Sequence, residues 1–273
     1  MAKANRQMEE QLKLVDIVIE LRDARCPLAS FNPSFDSLFQ NKPRLVVLNK
    51  ADLADEIENK KWLQYFSESN TILVNSTHDN LKSIVVNRVK DILKEKIEKA
   101  KAKGIRKKVL RAMVVGIPNV GKSTFINNIV KKNVAKVENR PGVTKTVSWI
   151  NINEDLSLLD TPGVLWPKFE DQIKAKILAL IGSINDDILD KEDLSRFGID
   201  YISKEYPNYL QTRYGINENS LNLLYDIGLN KKCITKNGEV DITKTSELIL
   251  NDIRNNKLGR ISYEKCLKTL TNN

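Results

Sequence analysis

Apolar residues fall in short solid runs through the first part of this chain and at helical spacing through the rest. Asp16-Ile17-Val18-Ile19-Glu20-Leu21, Arg44-Leu45-Val46-Val47-Leu48, Thr71-Ile72-Leu73-Val74 and Met113-Val114-Val115 each predict a strand, the last of them buried. Between them, residues 2–14 (Met8, Leu12), 35–39, 56–68 and 125–130 predict helices. Residues 81–103 predict one long lysine-rich helix broken at Gly104, with Ile84, Val85, Val89, Ile92, Leu93 and Ile97 as its buried stripe. Strand–helix alternation of this kind predicts a mostly parallel sheet covered by helices. Residues 147–152 and 156–159 flank Asn153-Glu154-Asp155 as a hairpin. From about residue 170 the pattern is helical to the end, so two parts are expected: an α/β part over 1–168 and a smaller all-helical part over 169–273.

Charge adds a partner class. Lysine and arginine exceed aspartate and glutamate by 44 − 35, a formal charge of +9, which favours a polyanion such as nucleic acid about as strongly as it favours a merely solvated surface. No run approaches the roughly 18 apolar residues of a membrane span, and the charged start has no signal-peptide core. Cys26, Cys233 and Cys266 form no C-x-x-C pair and read as reduced packing residues, so a cytoplasmic protein is expected, working without a membrane.

Candidate chemistry sits where the predicted strands end, as it does in open α/β sheets. Gly116-Ile117-Pro118-Asn119-Val120-Gly121-Lys122-Ser123-Thr124 fits G-x-x-x-x-G-K-[ST] between a strand and a helix. Its backbone N–H groups and the helix N-terminus would surround a phosphate chain, with Lys122 on the terminal phosphates and the Ser123 hydroxyl on Mg²⁺. Asn49-Lys50-Ala51-Asp52 matches N-K-x-D: the carboxylate can accept two bonds from the N1–H and amine of guanine, which adenine cannot offer. Asn49 would fix the loop, and the Lys50 stem would lie against the base. Asn75-Ser76-Thr77 could present a backbone N–H to the guanine oxygen. Asp160-Thr161-Pro162-Gly163 supplies an aspartate for the Mg²⁺ shell and a Gly163 N–H for the γ-phosphate; Thr144, or else Thr146, is the candidate second Mg²⁺ ligand.

The order of these motifs is inverted, because the guanine-reading motif precedes the phosphate loop. Together with Asp23-Ala24-Arg25, Arg140-Pro141-Gly142-Val143-Thr144, Asp160 to Pro167 and Gly259-Arg260-Ile261-Ser262, this order resembles the circularly permuted GTPases, and more closely the ribosome biogenesis GTPase A family of bacteria. The resemblance spans nearly the whole chain. It implies a circularly permuted Ras-like P-loop GTPase domain followed by a helical RNA-binding domain, with GTP and GDP as ligands and the large ribosomal subunit precursor and its rRNA as partners of a monomer. K⁺ at Asn119 is a further implication of the family. Val164 stands where Ras-type enzymes carry a water-orienting glutamine. The family assigns that role to a histidine just before a Met-Ala-Lys-Ala segment, and the sequence begins at that Met1. The one histidine, His78, follows the guanine-side loop. Slow intrinsic hydrolysis, stimulated by the ribosome, is therefore the expectation. The rivals are a nucleotide-gated RNA-binding scaffold without turnover and an ATPase in which Asn49–Asp52 is accidental.

Overall fold

The computed structural model describes residues 8–67, 69–77, 80–105, 109–130, 148–160, 171–184, 190–217 and 219–267. Their strands are β1 (Ile17–Asp23), β2 (Arg44–Asn49), β3 (Thr71–Leu73), β4 (Leu110–Gly116), β5 (Ser148–Asn151) and β6 (Leu156–Asp160). They form one sheet in the order β3-β2-β1-β4-β6-β5. All neighbours run parallel except β5 and β6, the antiparallel hairpin that the sequence predicts. Its turn is held by Asn153, whose Oδ1 accepts from the N–H groups of Asp155 and Leu156 at 3.0 and 2.8 Å.

Period-two alternation sorts the strand residues onto two faces. Ile17, Ile19 and Leu21 of β1, Leu45 and Val47 of β2, and Ala112 and Val114 of β4 join a large apolar cluster under helices α3 (Leu81–Ile92) and α5 (Lys122–Val130). Val18, Met113 and Val115 point the other way, against Met8 and Leu12 of a helical segment over 8–12 and against Phe35 and Phe39 beside the short helix α1 (Ser34–Leu38). Trp62 of α2 (Glu56–Tyr65) covers Val46 and Leu48. Helix α2 starts where it does because the Asp55 carboxylate accepts from the N–H groups of Ile57 and Glu58.

Two expectations need correction. The lysine-rich stretch is two helices, α3 and α4 (Lys94–Ala102), separated at Leu93, which sits near the edge of helical space at φ −98° and ψ 14°. Its buried stripe is Leu81, Val85, Val86, Val89 and Leu93, whereas Ile84 faces solvent. The C-terminal part is also not helical to its end. Helices α6 (Gln172–Leu180), α7 (Lys191–Glu205), α8 (Tyr209–Tyr214), α9 (Leu223–Asn230) and α10 (Ile242–Arg254) are followed by a non-helical strap over 255–267 that returns to the α/β part. The apolar core is continuous from the α3–α5 face of the sheet into these helices, through Ile177, Leu178 and Ile181.

The three cysteines are free and buried, as packing residues should be. No helix among the described residues is long and apolar enough to cross a membrane.

Candidate functional site

Three of the predicted motifs converge at the carboxyl edge of the sheet. β1 and β2 pair so that Asp23 lies opposite Asn49, and β1 pairs with β4 so that Leu21 lies opposite Gly116. The guanine-side loop and the phosphate loop therefore leave the sheet on either side of β1 and meet above it.

Side chains join them. Asn49 is buried; its Nδ2 donates to the Val120 carbonyl at 2.9 Å, and its Oδ1 accepts from the Ser76 hydroxyl at 2.5 Å and the Ser76 N–H at 3.3 Å. One amide thus fixes three loops to each other. Gly121 makes this approach possible: its φ of +96° suits glycine, and a Cβ there would collide with Asn49 Nδ2. Lys50, in the left-handed region at φ 60°, sends its Nζ to the Asn119 carbonyl at 2.7 Å and to Asp23 Oδ2 at 3.1 Å. Its ammonium therefore ends at the phosphate loop. Burial pulls the Lys50 pKa below the usual lysine value, with Asp23 opposing that shift.

Asp23 and Arg25, quoted in the sequence without a role, are the foundation of this junction. Arg25 Nε and Nη2 donate to the two oxygens of Asp23 at 2.9 and 2.8 Å, in a pair that is almost wholly buried. Burial alone would raise the Asp23 pKa, but Arg25 and Lys50 outweigh it and hold the carboxyl well below the usual carboxylate range.

In the phosphate loop, Lys122 is buried at the start of α5, with its Nζ 3.5 Å from the Gly116 carbonyl. Val120 is buried, while Ser123 and Thr124 are half-buried on the first turn of α5. Asn119 adopts φ 55° and donates from Nδ2 to the Gly182 carbonyl at 2.7 Å, a direct link from the phosphate loop to the turn after α6. Asp160 ends β6 in register with Val114, which brings the end of that strand beside the phosphate loop. The Asp160 side chain falls outside what the structure describes, as do Thr144, Thr146, Gly163, Val164 and His78. Asp52 is exposed, and Ala51 is half-buried with its N–H on the Val74 carbonyl. In the 75–77 loop, the Ser76 N–H is taken by Asn49 and the Thr77 N–H by Asn75 Oδ1, so both amides are engaged locally.

Sequence reasoning gave no role to what lies behind the guanine-side loop. Arg260 of the strap donates to the carbonyls of Ala51 and Ala54, and the Tyr263 N–H donates to the Arg25 carbonyl. The carboxylate of Glu264 accepts from the N–H groups of Leu28 and Ala29, both at 2.7 Å. The one local signal was Gly259-Arg260-Ile261-Ser262: Gly259 has φ +106°, and a Cβ there would press on the Tyr209 ring.

Burial pushes the Glu264 carboxyl up to about 7, against the pull of those two N–H groups. A folded-state value above the unfolded 4.5 means that the native state holds the extra proton between those values. Stability from this group is therefore complete below the unfolded value and is lost as pH rises through about 7. Against Glu264→Gln, the wild type should lose relative stability between about pH 5 and about pH 8, by at most about 3 kcal/mol and less where solvent reaches the carboxyl. Parallel thermal melts across that range check it; a pH-independent difference between the two proteins would refute it.

Known proteins resemble both the sequence and the fold. The family model described as "50S ribosome-binding GTPase" matches residues 111–224. A protein named Ribosome biogenesis GTPase A from Bacillus cereus is 48% identical over 269 residues, covering 97% of this chain and 91% of that one. Its namesake from Bacillus licheniformis is 45% identical over 270 residues, covering 97% and 95%. Among solved structures, GNP-bound YlqF from T. maritima superposes with a TM-score of 0.72 at 25% identity, over 98% of this chain and 100% of that one.

Proposed function

The chain belongs to the ribosome biogenesis GTPase A family and is a GTP-binding P-loop GTPase, and from that premise we propose that it acts as a Mg²⁺-dependent switch in late assembly of the large ribosomal subunit. The observation that carries the nucleotide half of this reading is the cross-tie of Asn49 to Val120 and of Lys50 to Asn119. It ties the loop that would read the base to the loop that would read the phosphates, as one nucleotide spanning both would require. The subunit half rests on the names of the relatives and on the description of the matching family model.

In this reading the backbone over 119–124 and the Lys122 ammonium hold the phosphates, and Asp52 reads the guanine edge, with Asn49, Ala51, Asn75 and Ser76 shaping its pocket. Mg²⁺ would be held by Ser123, Asp160 and Thr144. The hydroxyl and carboxylate oxygens of that set suit a hard cation, and β4, which leads into the phosphate loop, pairs with the strand that Asp160 ends. When bound, the ion supplies positive charge at the phosphate oxygens. Gly163 would donate to the γ-phosphate, and Asn119 would serve a K⁺ ion.

Residues 169–273 and the lysine-rich α3–α4 surface would meet rRNA, with the protein acting as a cytoplasmic monomer. Asn119 already touches the Gly182 carbonyl, so a change at the phosphates has a direct route to the helices. Multiple-turnover phosphate release tests the whole reading. We expect slow release by the protein alone, faster release with large subunits and faster release in K⁺ than in Na⁺. A full rate without subunits would remove the ribosome dependence, absence of turnover in every condition would leave a nucleotide-gated scaffold, and equal subunit affinity with GDP and a GTP analogue would remove the switch.

A further inference from the structure

Besides its contacts to Arg25, Leu28, Ala29, Glu58 and Trp62, the strap over 255–267 meets the segment that follows the guanine-side motif. Arg260 Nε donates to the Ala54 carbonyl at 2.7 Å, and its Nη2 donates to the Ala51 carbonyl at 3.0 Å. The Ile261 N–H donates to the Leu53 carbonyl at 3.0 Å, and the Ser262 hydroxyl accepts from the Asp55 N–H at 3.1 Å. Around Asp52, the backbone polar groups of Ala51, Leu53, Ala54 and Asp55 are thus committed to a segment about two hundred residues further along the chain. The other side of the strap is held by α7 and the residue that caps it: the hydroxyls of Tyr201 and Tyr206 donate to the Ser262 carbonyl at 2.6 and 3.1 Å.

We propose that the Gly259–Ser262 strap is part of the guanine-binding site, with Arg260 a positioning residue that sets the Asp52 carboxylate. The inference rests on the reading of Asp52 as the guanine contact. Two parallel hydrogen bonds to a base edge require a carboxylate placed to about 0.5 Å and 10–20°. Asp52 is exposed, so its own side chain has little packing to hold it. Its backbone must therefore be fixed; Asn59 Nδ2 holds the Ala51 carbonyl at 3.0 Å from α2, and the guanidinium fork adds the tie that spans Asp52, bonding the carbonyls just before and two residues after it. A fork is needed, because a lysine ammonium is a point donor on a flexible stem and cannot span both carbonyls in fixed geometry. Since GDP and GTP share the base, the strap acts on both alike, unlike any device that senses the γ-phosphate. It also gives the helical part a second hold on the nucleotide, through Tyr201 and Tyr206.

The test compares the affinities of the full chain for fluorescent GDP, GTP and IDP. Inosine lacks the exocyclic amine, so it can use only one of the two Asp52 bonds. Arg260→Ala should weaken GDP and GTP equally, by about tenfold, as expected for losing a pair of charge-assisted hydrogen bonds. It should weaken IDP less, so that the preference for GDP over IDP shrinks about threefold or more, and Arg260→Lys should fall between wild type and Arg260→Ala. An unchanged GDP affinity, an equal loss for GDP and IDP, or a loss for GTP alone would each overturn the proposal. If Arg260→Ala does not fold, Arg260→Lys carries the same comparison with the same outcomes. Asp52→Asn measured alongside separates the premise: if it leaves the GDP and IDP affinities untouched, the guanine reading fails, whereas a loss there with no effect at Arg260 fails only the strap.

Discussion

Asp52→Asn is expected to lower GDP and GTP affinity about 10³-fold and to turn the preference toward xanthosine nucleotides. A site built to hydrogen-bond a substrate group can reject an analogue lacking it by about 10⁴–10⁵, so most of that range is available here. The carboxylate would accept from two guanine donors, whereas the asparagine amide would offer one acceptor and turn a donor against the other. Xanthine has a carbonyl where guanine has its amine, and the asparagine N–H can meet it. Asp52 is exposed and Asn49 carries the tie between the loops, so the substitution should leave the folded site in place. Competition binding of GDP, XDP and ADP reads the outcome. Unchanged GDP binding would mean that Asn49–Asp52 does not read the base, and the ATPase alternative would then return.

Lys122→Ala should reduce single-turnover GTP hydrolysis by about 10²–10³-fold, the usual cost of removing one preorganised donor from developing transition-state charge. The side chain is buried within the phosphate loop at the start of α5, where the helix N-terminus adds a second positive field. In the proposed site, base recognition would lie on the other side of β1 and would not use this ammonium. GDP affinity should consequently fall far less than turnover, because the γ-phosphate is where the missing charge matters most. Rapid-quench measurement at saturating GTP, beside a GDP titration, separates the two effects. Turnover within about threefold of wild type would remove Lys122 from phosphoryl transfer.

Much of this was legible from residues alone, for reasons that differ by element. The central parallel strands β1, β2 and β4 are buried on both faces, so they read as solid apolar runs in the sequence and lie where those runs lie, whereas the edge strand β3 is half-buried. The phosphate loop was legible because its backbone demands specific residues: Gly121, at φ +96°, cannot carry a side chain against Asn49. The break at Leu93 was not legible. No glycine or proline marks it, and Leu93 is itself buried in the core beside α3, so tertiary packing there overrides local propensity.

The sequence by itself determined a mostly parallel α/β sheet, a phosphate loop, a guanine-type motif placed before it, and kinship with a GTPase family. Each of these is written in residues close together in the chain, where periodicity or a required backbone conformation leaves a local mark. Only the tertiary structure decided that Lys50 ends at the phosphate loop, that Asp23 and Arg25 anchor the junction, and that Asn119 touches the turn after α6. It alone revealed the strap, whose Arg260 meets Ala51 and Ala54 across more than two hundred residues. An extended segment that bonds to distant backbone carbonyls has no period of its own. Its partners are also groups that every residue possesses, so nothing in the letters of 259–262 could name them.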